Sequence, residues 1–242
     1  MKKIITLAIF AFAAIGMSAC SASFSTGTNN TATNNTAKPT NAANNATNSG
    51  NANKANTSNS TSSTDSKKSE VKDEKANRPT DAKKQPNAPT IPAEWVYYAD
   101  EARGYGFSLP KGSESGHDSS DGIDTFVGET PDKISIIVWA FKDKTMTKES
   151  LLDFAENALK ELGETVTVGK LTGESEDYAV ADADTTGKSG EKSKLKILVA
   201  TDVTDNYVMI VRSDAASYDS KKATMDNIWG SFEMYSGGAS GN

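Results

Sequence analysis

Apolar residues are distributed very unevenly along the 242-residue chain. Residues 4–15 form one continuous apolar run, whereas residues 25–94 contain no aromatic side chain. From residue 95 onward, short apolar stretches alternate with turn residues, and all three Trp and all seven Tyr lie there. A segment with almost nothing apolar to bury cannot offset the entropy lost on ordering, about 1–2 kcal/mol per residue. The pattern therefore predicts one folded domain, residues 91–236.

Period-two alternation predicts several β-strands in this domain. The strongest is KISIIVWAFK (133–142), in which Ile136 and Val138 lie on one face and Ile137 and Trp139 on the other. Apolar side chains on both faces indicate a central strand that is covered on both sides. The other predicted strands are residues 94–98, 105–110, 123–129, 165–172, 176–185, 194–203 and 206–214.

Two segments have the 3.6-residue period of amphipathic helices. In residues 147–163, Thr147 stands at the N-cap position, Gly163 follows the last turn, and leucines and alanines form one stripe. Residues 217–232 are the second predicted helix. Residues 237–242, rich in Gly and Ser, are predicted to be a flexible tail.

The sequence GKSG (187–190) predicts a hairpin between two of the strands. Opposite charges favour a register in which Asp184 faces Lys192 and Asp182 faces Lys194. Such pairs fix the register of a hairpin and add little stability.

Composition and charge divide the chain at the same place. Residues 20–90 are rich in Asn, Thr, Ser and Lys, which predicts a disordered tether. Residues 91–242 contain 15 lysines and arginines against 27 acids, a net charge of −12. Nucleic-acid-binding proteins normally carry a basic footprint, so this acidic domain argues against a nucleic-acid partner.

The start of the chain has the organisation of a secretion signal, because two lysines precede the apolar run and small residues follow it. The next residues, MSAC (17–20), resemble the lipobox of bacterial lipoprotein precursors, although Met17 stands where leucine is usual. In that family the cysteine becomes the first residue after cleavage and is acylated. The resemblance therefore implies that residues 1–19 are a signal peptide and that Cys20 is lipidated.

Cys20 is the only cysteine of the chain. Its acylation would leave no cysteine for a disulfide, a thiol nucleophile or a thiolate metal site. The resemblance implies a location in the cell envelope, with the membrane as a partner through the lipid anchor. Ser21 stands where an Asp retains lipoproteins of this kind in an inner membrane, so an outer-membrane location is implied if the organism has two membranes.

Three features of the predicted domain resemble the PsbP-like fold: the opening YYADEARGYGFSLP (97–110), the order of strands and helices, and the closing IWGSF (228–232). That family includes an extrinsic photosystem II subunit and many bacterial lipoproteins. The resemblance covers about residues 95–235 and implies no common catalytic apparatus. The fold class that it implies is α+β, a largely antiparallel β-sheet flanked by helices in an α/β/α sandwich, preceded by a disordered linker.

Candidate catalytic and metal-binding residues are few, and no cofactor is predicted. His117, the only histidine, lies in SESGHDSSDGID (113–124) together with Asp118, Asp121 and Asp124. A segment of Ser, Asp and Gly is typical of a surface loop, and that interpretation is favoured for these residues. Three closely spaced acids also offer oxygen ligands to a hard cation, so Asp118, Asp121 and Asp124 are the metal candidates.

Two functions from different classes remain open. The first is a non-catalytic envelope lipoprotein whose tethered acidic domain binds a protein, a glycan or a cell-wall component. The alternative is an envelope hydrolase that uses His117 and nearby acids. A single histidine, no cysteine besides Cys20 and no nucleophile motif favour the first function.

Overall fold

The computed structural model describes residues 68–142, 146–173 and 175–235. The predicted signal peptide, Cys20, residues 20–67 of the predicted tether and the predicted tail lie outside the described residues. The strands, in chain order, are β1 (Ser69–Glu70), β2 (Lys83–Lys84), β3 (Val96–Asp100), β4 (Tyr105–Leu109), β5 (Glu114–Ser120), β6 (Ile123–Glu129), β7 (Ser135–Lys142), β8 (Thr165–Val168), β9 (Tyr178–Thr186), β10 (Lys192–Asp202), β11 (Asp205–Asp214) and β12 (Glu233–Met234).

The two α-helices of the described residues are α1 (Lys148–Glu161) and α2 (Tyr218–Gly230), where the 3.6-residue period predicts them. The backbone N–H of Ser150 donates to Thr147 Oγ1 at 3.2 Å, which confirms the predicted N-cap. Gly163, just after α1, has a φ of 84°, a conformation that glycine adopts without a steric penalty. Neither helix has the length and apolar character needed to cross a membrane, in the part of the chain that is described.

The strands form a large sheet and a small sheet, and every neighbouring pair in both is antiparallel. The large sheet has the order β1-β5-β6-β7-β11-β10-β9-β8, and the small sheet has the order β2-β12-β4-β3. β7 lies in the interior of the large sheet, between β6 and β11. The prediction of a central strand there is confirmed.

The large sheet is covered on both faces. On one face, Leu151 and Leu159 of α1 are buried against Leu195 and Ile197 of β10. On the opposite face, α2 and the small sheet share the cover, and the core there includes Ile228 of α2. The predicted α+β class, a largely antiparallel sheet with a helix on each face, is confirmed. The small sheet is an addition that the sequence does not predict as a separate element.

The hairpin at GKSG forms, but the predicted register is wrong. Asp184 pairs with Lys194, with 3.5 Å between Lys194 Nζ and Asp184 Oδ1, and not with Lys192. The cause is the position of the turn, which is centred on Ser189 rather than on Lys188 and is closed by the Gly187 N–H, which donates to the Glu191 carbonyl at 2.9 Å. The two strands are therefore offset by two residues from the predicted pairing, which keeps their alternation of faces.

The segment that contains His117 is not a loop, as the sequence predicts, but a β-hairpin. Residues 114–120 form β5, which pairs with β1 on one side and β6 on the other. Asp121, with a φ of 52°, and Gly122, with a φ of 81°, make the turn into β6. Most side chains of β5 are exposed, so it lacks the apolar alternation by which strands are predicted, and backbone pairing holds it in the sheet.

The folded domain begins before residue 91. Val71 is buried in the core, β1 adds to the edge of the large sheet, and β2 adds to the edge of the small sheet. Residues 68–90, which are assigned to the tether on composition, therefore belong to the fold. Composition misses them because one apolar side chain, two very short strands and a set of charged contacts do not make a hydrophobic pattern.

The most buried of these charged contacts joins Arg78 to Glu233 of β12. The guanidinium Nε donates to Glu233 Oε1 at 2.6 Å, and the Tyr97 hydroxyl donates to the same oxygen at 2.6 Å. The Glu233 side chain is 1% exposed and that of Arg78 is 40% exposed. The guanidinium thus neutralises a carboxylate that the fold has removed from water, and it ties the start of the domain to its end.

Replacement of Arg78 by methionine is expected to lower the free energy of unfolding by about 2–3 kcal/mol, because it leaves the Glu233 carboxylate buried without a countercharge. Chemical denaturation measures the change. In the Arg78→Met background, Glu233→Gln should recover part of the loss, since an amide tolerates burial better than a carboxylate. Lys111→Met, at an exposed turn residue, is the control. A neutral Arg78→Met variant would contradict the assignment.

Asp73 makes a second contact between residues 68–90 and the rest of the domain, and the stability that this contact contributes should depend on pH. The Tyr97 N–H donates to Asp73 Oδ1 at 3.0 Å and holds the pKa of that carboxyl below its ordinary value. An acid with a lowered folded-state pKa stabilises the fold above its unfolded pKa, near 4, and this contribution is lost as the pH falls through the folded value.

Asp73→Asn is therefore expected to reduce the free energy of unfolding at pH 7 by less than about 1 kcal/mol, since the group is exposed to solvent. The difference from the wild-type chain should shrink as the pH falls below about 4. Urea denaturation across this pH range gives the comparison, with Asp132→Asn at an exposed turn as the matched control. A deficit that persists unchanged in acid would show that the carboxylate charge is not the cause.

Candidate functional site

A polar cluster lies where the small sheet packs against the β5–β6 hairpin of the large sheet. On the small sheet, Tyr98 pairs with Phe107 and Asp100 pairs with Tyr105 across β3 and β4. Residues two apart in a strand, and residues directly opposite in a pair, point to the same face. These four side chains therefore share the face of the small sheet that meets the hairpin.

The hairpin supplies the other half of the cluster by the same rule. His117 of β5 is paired with Phe126 of β6, and Asp124 lies two residues before Phe126. His117 and Asp124 are therefore on one face of the hairpin. Phe126 is fully buried in the core beneath them, and its ring packs edge-on against the imidazole with 5.2 Å between centroids.

One ligand atom each from Asp100, His117 and Asp124 lie within 4.8 Å of one another. We refer to these three residues as the DHD cluster. The two carboxylates are half-buried and the histidine is exposed. The cluster is thus open to solvent on one side and rests on aromatic core on the other.

Tyr98 connects the imidazole of the cluster to this core. Its hydroxyl shares a hydrogen bond of 2.8 Å with His117 Nε2, and the two rings stack with 5.5 Å between centroids. The Tyr98 ring also packs against Phe107 and Phe126, at 5.4 and 4.6 Å. The orientation of an exposed histidine is therefore fixed by a largely buried tyrosine.

Tyr105 places a second hydroxyl beneath the cluster. The residue is 0% exposed, and its Oη has no hydrogen-bond partner among the described residues. Burial raises the pKa of this hydroxyl well above its ordinary value, and the neighbouring Tyr98, Asp100 and Asp124 raise it further. Tyr105 lies opposite Asp100 in the β3–β4 pair, and its ring centroid is 6.2 Å from that of Tyr98, so it shares the face of the small sheet that carries the cluster.

Opposing effects act on the pKa of Asp100, and a cationic side chain lies beside Asp124. Burial raises the pKa of Asp100, and Asp124 raises it further, while the hydrogen bond from the Arg103 N–H at 3.0 Å lowers it. The Arg103 guanidinium lies 3.6 Å from Asp124 Oδ1. One cationic side chain thus stands beside two close carboxylates, and the group retains a net negative charge.

The turn that carries Arg103 is held by several hydrogen bonds. Gly104, with a φ of 74°, closes it by donating its N–H to the Asp100 carbonyl at 2.8 Å. The Tyr207 hydroxyl of β11 donates to the Arg103 carbonyl at 2.6 Å. The turn, and with it the end of β3, is therefore fastened to the large sheet, which fixes Asp100 against the hairpin.

The structure brings together two of the residues that the sequence singles out, His117 and Asp124. Asp118 neighbours His117 in β5 and points to the opposite, exposed face, and Asp121 lies in the turn. Neither belongs to the DHD cluster. Asp100 does, and sequence reasoning missed it because it precedes the hairpin by a whole strand and a turn. The alternation Tyr98-x-Asp100 ahead of a turn is the only local signal.

The hydrolase alternative requires a nucleophile beside the histidine. The hydrogen bond that the structure gives His117 within the described ranges is with Tyr98, and its ring contacts are with Tyr98 and Phe126. A tyrosine hydroxyl with a raised pKa is a weak nucleophile at neutral pH. The arrangement is better suited to holding a ligand than to attacking one.

A larger groove lies elsewhere, between residues 78–91 and the chain after α2. Its lining includes Arg78, Ile91, Phe232 and Glu233. Arg78 and Glu233 of this groove already pair with each other, as described above, which distinguishes it from the DHD cluster.

Replacement of Tyr105 by phenylalanine is expected to raise the free energy of unfolding by up to about 1 kcal/mol, because it removes a buried hydroxyl without a partner. Thermal or chemical denaturation in the presence of a chelator measures the apo protein. Tyr207→Phe is the matched control, since its hydroxyl has a partner and its loss should lower stability by a similar amount. If Tyr105→Phe were destabilising to the same extent as Tyr207→Phe, the hydroxyl would have a protein partner in solution.

No family model matches the sequence, and no curated protein matches it. Among solved structures, the chain is similar to the solution structure of cyanobacterial PsbP (CyanoP) from Synechocystis sp. PCC 6803, with 15% sequence identity and a TM-score of 0.49. That match covers 60% of this chain and 95% of the other. It is also similar to a crystal structure from Bacteroides thetaiotaomicron VPI-5482, with 12% identity and a TM-score of 0.37, over 58% of this chain and 48% of that one. The first is a PsbP protein, the family that the sequence resembles.

Proposed function

We propose that this protein is a lipid-anchored, non-catalytic binding domain of the cell envelope. Residues 1–19 are removed, Cys20 is acylated, and the following polar residues connect the anchor to the acidic α+β domain. The domain binds an envelope protein, a glycan or a cell-wall component outside the cytoplasm.

The observation that carries the proposal is the position of the single cysteine. Cys20 follows two lysines, an apolar run and small residues, in the order of a lipoprotein signal. The chain has no second cysteine with which Cys20 could form an intrachain disulfide. One acyl chain binds a membrane only marginally, and lipoproteins of this kind carry more than one, which gives stable anchoring.

The polar segment supports a tethered arrangement. Because residues 68–90 belong to the folded domain, the proposed tether is shortened from residues 20–90 to residues 20–67. For a flexible chain of this length, the root-mean-square span is about 40 Å. Such a span lets a small domain reach partners that are not in direct contact with the bilayer. By the sorting rule of the lipoprotein resemblance, Ser21 favours the outer membrane if the organism has two membranes.

Two features favour binding over catalysis. The net charge of −12 over residues 91–242 favours cationic or neutral partners and disfavours nucleic acid. The polar cluster around His117 offers fixed side-chain ligands, and its hydrogen-bonded neighbour is a tyrosine rather than a serine. Fixed ligands without an activated nucleophile are the features of a binding site.

Replacement of Cys20 by alanine is expected to abolish acylation and to move the protein from the membrane fraction to the soluble fraction. Metabolic labelling with a clickable fatty acid and fractionation of cells measure the two effects. Ser21→Ala, which keeps the cysteine, is the matched control and should stay acylated. Wild-type protein that is soluble and has a free thiol at Cys20 would overturn the anchor.

A further inference from the structure

We propose that the DHD cluster is a binding site for a divalent first-row transition-metal ion, held by Asp100, His117 and Asp124. The inference deepens the proposed function, because it gives the binding domain a ligand of stated chemistry. It does not depend on the lipid anchor, and the experiment below is done on a chain that cannot be acylated.

The first observation is the distance between the ligand atoms. In a tetrahedral site with bonds of 2.0–2.2 Å, two ligand atoms lie about 3.3–3.6 Å apart. The three ligand atoms of the cluster already lie within 4.8 Å of one another. Side-chain rotations that bring the ligand atoms closer together by up to about 1.5 Å would therefore complete a three-ligand site.

The second observation is the Tyr105 hydroxyl. A buried polar group without a partner is rare, because its desolvation is not compensated. This hydroxyl belongs to a fully buried side chain on the face of the small sheet that carries Tyr98 and Asp100, and it has no hydrogen-bond partner among the described residues. A water bound to an ion at the cluster could donate a hydrogen bond to the oxygen of this hydroxyl. The same ion therefore accounts for the carboxylate pair and for the unsatisfied hydroxyl.

The charge of the cluster also favours a cation. Two carboxylates face each other across the cluster, and the Arg103 guanidinium contacts only one of them, at 3.6 Å from Asp124. That distance is longer than a charge-assisted hydrogen bond. Arg103 therefore leaves negative charge that a divalent ion can neutralise.

The ligand types select the class of ion. Ca²⁺ and Mg²⁺ prefer sites built from oxygen alone, and Ca²⁺ takes six to eight such ligands. An imidazole nitrogen with two carboxylates is a ligand set for Zn²⁺ and its first-row neighbours, and three protein ligands leave a position for water. The hydrogen bond between His117 Nε2 and the Tyr98 hydroxyl orients the imidazole, and a metal-bound imidazole would donate its other ring N–H to that hydroxyl, as to the outer partners of metal sites.

The test uses the full chain carrying Cys20→Ala, without a polyhistidine tag, so that His117 is the only imidazole and no thiol competes. Zn²⁺ is the probe, in calorimetric titration and in NMR of the imidazole ring protons. We expect one Zn²⁺ per chain and a shift of the His117 ring signals at the same equivalence point. Ca²⁺ should bind at least about 100-fold more weakly.

The variants separate the cluster from adventitious surface acids. His117→Ala and Asp124→Asn should each weaken Zn²⁺ binding at least about 100-fold, and Tyr105→Phe about 10-fold. Asp118→Asn, which removes an exposed acid from the same hairpin, is the matched control and should bind like the parent. Circular dichroism and thermal melts establish that each variant is folded.

The proposal is overturned if Zn²⁺ does not bind one-to-one, if the His117 ring signals do not respond, or if His117→Ala binds Zn²⁺ as tightly as the parent. His117 is exposed, so its replacement leaves the core intact and the last outcome is interpretable. Failure of Zn²⁺ binding leaves acylation of Cys20 untouched, whereas a free thiol in cells leaves Zn²⁺ binding untouched. The two proposals therefore fail separately.

Discussion

The large sheet exposes apolar side chains on both of its faces, and the rest of the fold follows from the need to cover them. β7, β11 and β10 carry apolar residues on alternating sides, so neither face can be left to water. α1 covers one face alone. α2 covers only part of the other, and the small sheet completes it. Because the small sheet packs against the β5–β6 hairpin, Asp100 at the end of β3 lies beside His117 and Asp124.

The regular spacing of apolar residues along the chain determines which parts of this structure could be predicted from the sequence. β7 and α1 have long apolar repeats and a clear N-cap, and they form where the sequence places them. β5 has exposed polar side chains and forms because its backbone completes a sheet, which no side-chain pattern reports. Residues 68–90 join the fold through one buried valine and a few charged contacts, so a composition-based boundary falls too late. The two-residue offset of the β9–β10 hairpin comes from the geometry of its turn, which the pairing of opposite charges does not determine.

The DHD cluster shows the same division between local and tertiary information. The pairing of His117 with an acid in the following strand can be anticipated, since both lie in one short segment. The choice of Asp124 over Asp118 and Asp121 depends on the hairpin register, and the contribution of Asp100 depends on one sheet packing against another. Neither is encoded in spacing along the chain. A site assembled across two sheets is therefore found from the fold, even when two of its three members are visible in the sequence.

The attachment of residues 68–90 has a mechanical consequence. A force applied through the N-terminal side of the domain acts first on β1, at the edge of the large sheet, then on the link between Asp73 and Tyr97, and then on the contact between Arg78 and Glu233. These elements can peel away before the strands from Val96 onward are strained. Their release would lengthen the connection by up to roughly 80 Å of extended chain while the main core stays closed. Residues 68–90 can thus extend under load while the rest of the domain stays folded.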